Sequence, residues 1–147
     1  MGGMFTTANT FNSDLSGWDV SSVTLMQGMF RGATTFDSDL SSWNVSSVRN
    51  MLQMLDNSGL SQANYDATLS GWSALTLQNG VELGADGLEY CTAQTDRQSI
   101  IDTYNWDITG DSFNCSAIAF ITTWKTDNTG TSNDDQITIP TTGSGYN

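Results

Sequence analysis

Residues 11–35 read FNSDLSGWDVSSVTLMQGMFRGATT, and residues 36–60 read FDSDLSSWNVSSVRNMLQMLDNSGL. Laid one under the other, Phe11 falls on Phe36, Asp14 on Asp39, Leu15 on Leu40, Trp18 on Trp43, Val20 on Val45 and Val23 on Val48. Met4, Met29 and Met54 keep the same 25-residue step. A unit this short cannot bury its own apolar face, so its copies must stack on one another. Such an array offers long, regular, exposed faces and no deep cleft by default, so function is expected on a surface.

Within one copy, Trp18-Asp19-Val20 alternates apolar and polar residues, which predicts a half-buried strand. From Met26 to Ala33 the apolar spacing of three and four predicts a helical turn, with Gly, Asn, Asp and Ser filling the joins. One strand and one helical turn in about 25 residues is the pattern of the leucine-rich-repeat solenoids. The expected fold class is therefore α/β: a short parallel strand ladder with helical turns. Residues 1–55 form the repeats and residues 56–115 a degenerate repeat and C-terminal cap.

The step slips to 29 on entering the cap, from Phe36 to Tyr65. Gln62 to Leu69 reads as a helix with Ser61 as its N-cap, and Thr95 to Tyr104 as a second, capped by Thr92 or Thr95. Val81-Glu82-Leu83, after the Asn79-Gly80 turn, and Trp106 to Thr109 are strand candidates. Residues 116–147 change character: 119–126 and 136–140 read as strands around a polar linker, 127–135. They are expected to open a hairpin of a following module. Because Gly3-Met4-Phe5 matches Gly28-Met29-Phe30, the chain is expected to begin in mid-copy, as a piece of a longer array.

The chain of 147 residues carries 16 acidic and 4 basic side chains, no His, and a formal charge of −12. That balance argues against nucleic acid, where phosphate contacts need Lys and Arg, and against anionic membrane surfaces. No apolar run approaches the ~20 residues that span a bilayer. Cys91 and Cys115 lie 24 residues apart. In an exported chain such a pair reads as a disulfide; the alternative is two buried free thiols.

The copies FNSDLSGWDVSSVTLMQGMF and FDSDLSSWNVSSVRNMLQML resemble the repeats of the BspA-like leucine-rich-repeat bacterial surface proteins. The likeness covers about residues 1–55, and Trp-Asp/Asn-Val-Ser-Ser-Val carries most of its specificity. The segment Tyr65 to Cys115 looks like the end region that follows such repeats, and the tail from Phe120 to Tyr146 like the start of an accompanying module. The resemblance implies a secreted or cell-surface protein, used in adhesion and without enzymatic activity, meeting a host or matrix protein or a glycan.

Candidate residues follow from stacking. By alternation Asp19, Ser21, Asn44 and Ser46 point outward, with Thr24 and Arg49 close by; these six are the expected binding face. Asp14, Asp37 and Asp39 would sit in columns about 5 Å apart, and like charges at that spacing need solvent, hydrogen bonds or a cation between them. They could ligate Ca²⁺, or accept N–H bonds within their own turns. No cofactor is otherwise expected, and the oxygen-rich linker 127–135 lacks EF-hand spacing. Trp18 and Trp43 could stack on sugars, but their place among apolar residues predicts core. For catalysis no motif frames a nucleophile, and with no His any acid–base work would fall to scattered carboxylates. The first repeat leaves Met4, Phe5, Phe11 and a free edge exposed, so an end-to-end homodimer through this rung is expected unless the tail covers it. The competing readings are a passive spacer or cap in a large surface protein and a Ca²⁺-dependent carbohydrate-binding module.

Overall fold

A computed structural model describes residues 1–115, and the expected strands and linker of 116–147 lie outside the described residues. Two helices, α1 (Gln62–Ser73) and α2 (Gln94–Tyr104), alternate with four short strands: β1 (Glu82–Gly84), β2 (Glu89–Tyr90), β3 (Asp107–Thr109) and β4 (Ser112–Phe113). β1 pairs with β3 and β2 with β4, both parallel. The fold thus mixes helix and strand, with short parallel pairs, and the disulfide Cys91–Cys115 closes its end.

Residues 1–60 contain no named strand or helix, yet their successive copies are tied rung to rung by the backbone. Gly3, Phe5 and Thr7 donate N–H bonds to the carbonyls of Gln27, Met29 and Arg31, at 2.8, 2.9 and 2.7 Å. One step later Gly28, Phe30 and Gly32 donate to Leu52, Met54 and Asp56, at 2.9, 2.9 and 2.8 Å. The residues between them turn inward: Met29, Arg31 and Ala33 donate to Met26, Gly28 and Phe30, three positions back. Alternate N–H groups therefore close tight turns while the others reach the next rung, and every one of them is paired.

This corrects the expected division of the repeat. Met26 to Ala33 is not a helical turn but the stretch that carries the inter-rung bonds, and Trp18-Asp19-Val20 is not a strand. The backbone signs explain the first point. Gly28 and Gly32 lie at φ +61° and +67°, in step with Gly3 and Thr7 at +67° and +56° and with Gln53 and Asn57 at +56° and +53°. A left-handed residue at every fourth position breaks a helix and leaves a ribbon of linked turns. Asp19 explains the second, because its side chain folds back into a local turn.

The core runs along the array in columns. Met26, Met51, Leu83 and Ile108 share one buried column, joined by the Met51↔Leu83 bridge and the Leu83↔Ile108 register. Phe5 stacks on Phe30 with centroids 5.5 Å apart, Phe11 on Phe36 at 6.1 Å, and within a rung Phe30 meets Phe36 at 3.9 Å. Trp43 is fully buried and donates its indole N–H to the Leu15 carbonyl in the preceding rung, at 2.9 Å. Trp18 departs from the expected core position: it is 39% exposed, because no rung covers it among the described residues.

The slip to 29 has a structural cause. α1 replaces the turn segment of the earlier copies, and Trp72 takes over the role of Trp43, donating to Leu40 O at 3.1 Å. Its buried residues Tyr65, Thr68, Leu69 and Trp72 follow helical spacing on one face, and the Ser61 hydroxyl caps its start by accepting from Asn64 N–H. Gly71 lets the helix lie directly on the Ser41 backbone, where a Cβ would come within 2.8 Å of Ser41 Cα. Phe36 to Trp43 and Tyr65 to Trp72 both span seven residues, so the four extra residues precede Tyr65, where the first turn of α1 begins at Gln62.

Candidate functional site

The six expected contact residues occupy three positions of the repeat, each filled twice. Asp19 accepts from Ser21 N–H at 3.0 Å and Ser21 Oγ at 2.6 Å; Asn44 accepts from Ser46 N–H at 3.2 Å and Ser46 Oγ at 2.6 Å. Each pair closes an Asx turn, which is why Asp or Asn precedes Ser by two at both places. Arg49 N–H donates to Thr24 O at 2.8 Å, which stacks the third position. Asp19, Asn44, Thr24 and Arg49 are exposed, whereas Ser21 and Ser46 are half-buried with their hydroxyls engaged. The hydroxyl and then the N–H of Ser21 hold the Asp19 carboxyl below its ordinary range. The side chains free to meet a partner are thus the outer atoms of Asp19, Asn44, Thr24 and Arg49.

The three acids considered for a metal divide into two kinds. Asp14 and Asp39 accept from Ser16 and Ser41 N–H, each at 2.8 Å, in the same Asx geometry. The Ser16 N–H, followed by its hydroxyl, lowers the Asp14 pKa. Asp37 belongs to a ladder between rungs: Asn12 Oδ1 accepts from Asp37 N–H at 2.9 Å, and Asp37 Oδ1 accepts from Ser61 N–H at 2.7 Å and Asn64 Nδ2 at 2.8 Å. Burial pushes the Asp37 carboxyl up, but the donors Ser61 and Asn64 outweigh it and leave it lowered. Among the described residues no three His, Cys, Asp or Glu side chains are grouped to hold a metal ion.

Two buried polar centres carry no signal in the repeat. Asp66, in the second turn of α1, accepts from the N–H groups of Cys91, Thr92 and Ala93 at 2.9, 3.0 and 3.2 Å, and from Thr92 Oγ1 at 2.9 Å. It caps α2 from a distance. The expected Thr92 or Thr95 cap is absent: α2 begins after Ala93 with no side-chain cap bond of its own. Asp66 thereby joins both helices beside the disulfide.

Around Asp111 the second centre assembles. Arg97 reaches it with Nε and Nη2, both at 2.7 Å, and Nη2 also donates to Ile108 O. The Tyr65 hydroxyl donates to the same carboxylate at 2.9 Å, and the guanidinium lies 4.9 Å from the Tyr90 ring centroid. The hydrogen bond Arg97 donates to Asp111 raises the Arg97 pKa further, while burial, then the Asp111 charge, holds the Tyr65 hydroxyl well above its usual 10.0. This geometry is that of a fixed, neutralised ion pair beside Tyr90, whose ring meets the 51% exposed Phe113 edge-on at 5.7 Å.

Chemically, these groups hold turns and helix ends; their oxygens and N–H groups are committed to one another. No curated protein and no solved structure matches the chain. Residues 1–81, which hold the whole 25-residue repeat, its ladder and α1, match the family model described as Mycoplasma protein of unknown function, DUF285, and the chain belongs to that family.

Proposed function

We propose that this chain is a non-enzymatic binding and structural module of a bacterial cell-surface or secreted adhesin. It is read as a short BspA-like leucine-rich-repeat solenoid that presents one face to a protein or glycan. One observation carries the reading: the exposed positions Asp19/Asn44, whose side chains are held by Asx turns, and Thr24/Arg49, whose backbones are bonded rung to rung, repeat at the 25-residue step. A rigid, repeated polar surface suits many weak contacts added along an array better than one tight site. The scarcity of Trp, Tyr and Arg on this face fits a weak single contact, since those residues dominate tight interfaces.

A screen against immobilised matrix proteins and a glycan array tests the proposal. Binding is expected to weaken by about tenfold or more in the double variant Thr24→Asp, Arg49→Asp, and to be unchanged in Phe113→Ser. A specific observation favours a second reading, a passive spacer: the Ser21 and Ser46 hydroxyls are spent inside their own turns. Absence of any ligand in both screens would leave the spacer. Glycan binding abolished by a chelator would instead favour the Ca²⁺-dependent module, with Asp14, Asp37 and Asp39 as its ligands.

A further inference from the structure

We propose that Asn79-Gly80 is a gated self-modification site, where the Asn79 side-chain amide is converted to aspartate and isoaspartate and α2 is loosened from the repeats. The inference stands apart from the adhesin reading. Asn79-Gly80 is the only Asn-Gly pair in the sequence. Both residues are exposed, and Gly80 lies at φ +67° with nothing within 4 Å of the place a Cβ would take. A glycine puts no side chain in the way of its own backbone nitrogen. That nitrogen can therefore reach the side-chain carbonyl carbon of Asn79, an intramolecular attack with a high effective concentration.

The step balances with water as the one co-reactant. Gly80 N–H loses its proton, the nitrogen bonds to Asn79 Cγ, and the Cγ–Nδ2 bond breaks with Nδ2 leaving as ammonia. Water then opens the cyclic imide at either carbonyl. One opening leaves aspartate. The other leaves isoaspartate, whose main chain runs through Cβ and Cγ and is longer by one methylene. Either product adds a negative charge to the formal −12.

The structure sets both the choice of this asparagine and its gate. Asn12 and Asn57 are also exposed and are each followed by Ser, but their side chains are held. Asn12 Oδ1 accepts from Asp37 N–H at 2.9 Å, and Asn57 Nδ2 donates to Asp86 Oδ2 at 3.2 Å. The Asn79 side chain has no hydrogen-bond partner among the described residues, so it can rotate onto the next nitrogen. That nitrogen is engaged: Gly80 N–H donates to Tyr104 O at 2.9 Å, satisfying a carbonyl at the end of α2. While that bond holds, the proton is retained, and attack waits on local opening. The neighbouring bonds make the turn a hub. Gln78 O accepts from the Trp106 indole at 2.8 Å, and Gln78 Nε2 donates to Ser46 O in the second copy of the repeat at 2.9 Å. An extra methylene between Asn79 and Gly80 moves these groups out of register and frees the end of α2.

Peptide mapping of the full chain, aged in the folded state in mildly alkaline buffer, tests the proposal. Mass spectrometry should find the amide-to-acid exchange at Asn79 first, and an isoaspartyl methyltransferase should label the same peptide. Asn79→Gln should remove that label. The rate should rise about tenfold or more when the chain is held unfolded in urea. It should rise severalfold in Tyr104→Phe, which loses the hydroxyl bond to Leu75 O that anchors the end of α2. Hydrogen exchange of the isoaspartate fraction should find the last turn of α2 less protected. Conversion of Asn79 no faster than that of Asn12 or Asn57 in the folded chain, equal rates folded and unfolded, or unchanged protection of α2 in the aged fraction would each overturn the proposal.

Discussion

Gln53 stands where the two earlier copies have glycine. Gly3, Gly28 and Gln53 occupy one repeat position, and all three are left-handed, at φ +67°, +61° and +56°. A side chain in that region costs about 1–2 kcal/mol, because Cβ crowds the following carbonyl. Replacing Gln53 by glycine removes that cost but frees the unfolded chain, which returns about 0.4–1 kcal/mol. The net expectation for Gln53→Gly is a gain of about 1 kcal/mol. The reciprocal change, Gly28→Ala, should cost about the same. Space does not confuse that comparison, since a Cβ on Gly28 would meet nothing nearer than Thr6 Oγ1 at 3.8 Å.

In a domain of this size 1 kcal/mol moves the melting temperature by about 4 °C. Calorimetry should therefore find Gln53→Gly higher and Gly28→Ala lower by similar amounts, with the double variant near the parent. The positions lie in adjacent rungs, so a small coupling is allowed. A melting temperature for Gln53→Gly at or below that of the parent would refute the claim that one left-handed frame governs all three copies.

Gly59→Ala should be far worse than Gly80→Ala by chemical denaturation, although only Gly80 has a positive φ: a Cβ on Gly59 would come within 2.7 Å of Thr34 C, whereas Gly80 faces open space; a cost above about 3 kcal/mol is expected for the first and about 1 kcal/mol for the second. Asp66→Ala strands the N–H groups of Cys91, Thr92 and Ala93 and should cost about 3–5 kcal/mol; hydrogen exchange should open α2 before the repeats, and uniform opening would contradict the remote-cap role. Reducing Cys91–Cys115 releases a loop with a sequence separation of 24 and should lower stability by about 3.5 kcal/mol in urea titrations run with and without reductant. Asp37 has a folded pKa below its ordinary 3.8, so its contribution is complete above that value and is lost as pH falls through the folded pKa. The urea midpoint of the parent should therefore drop more steeply below about pH 4 than that of Asp37→Asn, and equal slopes would exclude the ladder role of Asp37.

Much of the repeat was legible because its signals are periodic. Phe, Trp, Val and Met at a fixed step identify the buried columns, and Asp or Asn two residues before Ser identifies the turns. Which stretch would carry the inter-rung bonds was not legible, since a ribbon of linked turns that repeats every four residues imitates helical spacing. Met26, Met29, Phe30 and Ala33 are spaced by three and four, as in a helix, because each left-handed glycine restores the ribbon's direction every fourth residue. Gly28 and Gly32 held the information. Read with Gln53 and Asn57 below them, they are positions of fixed backbone sign rather than joins between elements.

The polar centres were hidden for the opposite reason: each depends on a contact made once. Asp66 looks like any acid in a helix until Thr92 and Ala93 arrive beneath it, and Asp111 looks like a turn residue until Arg97 and Tyr65 close on it from the two helices. A periodic array can distribute its hydrogen bonds over many equal rungs, so losing one turn costs little. Residues 60–115 make each such contact once among the described residues: one carboxylate satisfies the N–H groups at the start of α2, and one ion pair and one disulfide hold the last strands. Sensitivity to single substitutions should therefore concentrate in residues 60–115, while the exposed repeat positions that would meet a partner remain free to vary in identity without loss of fold.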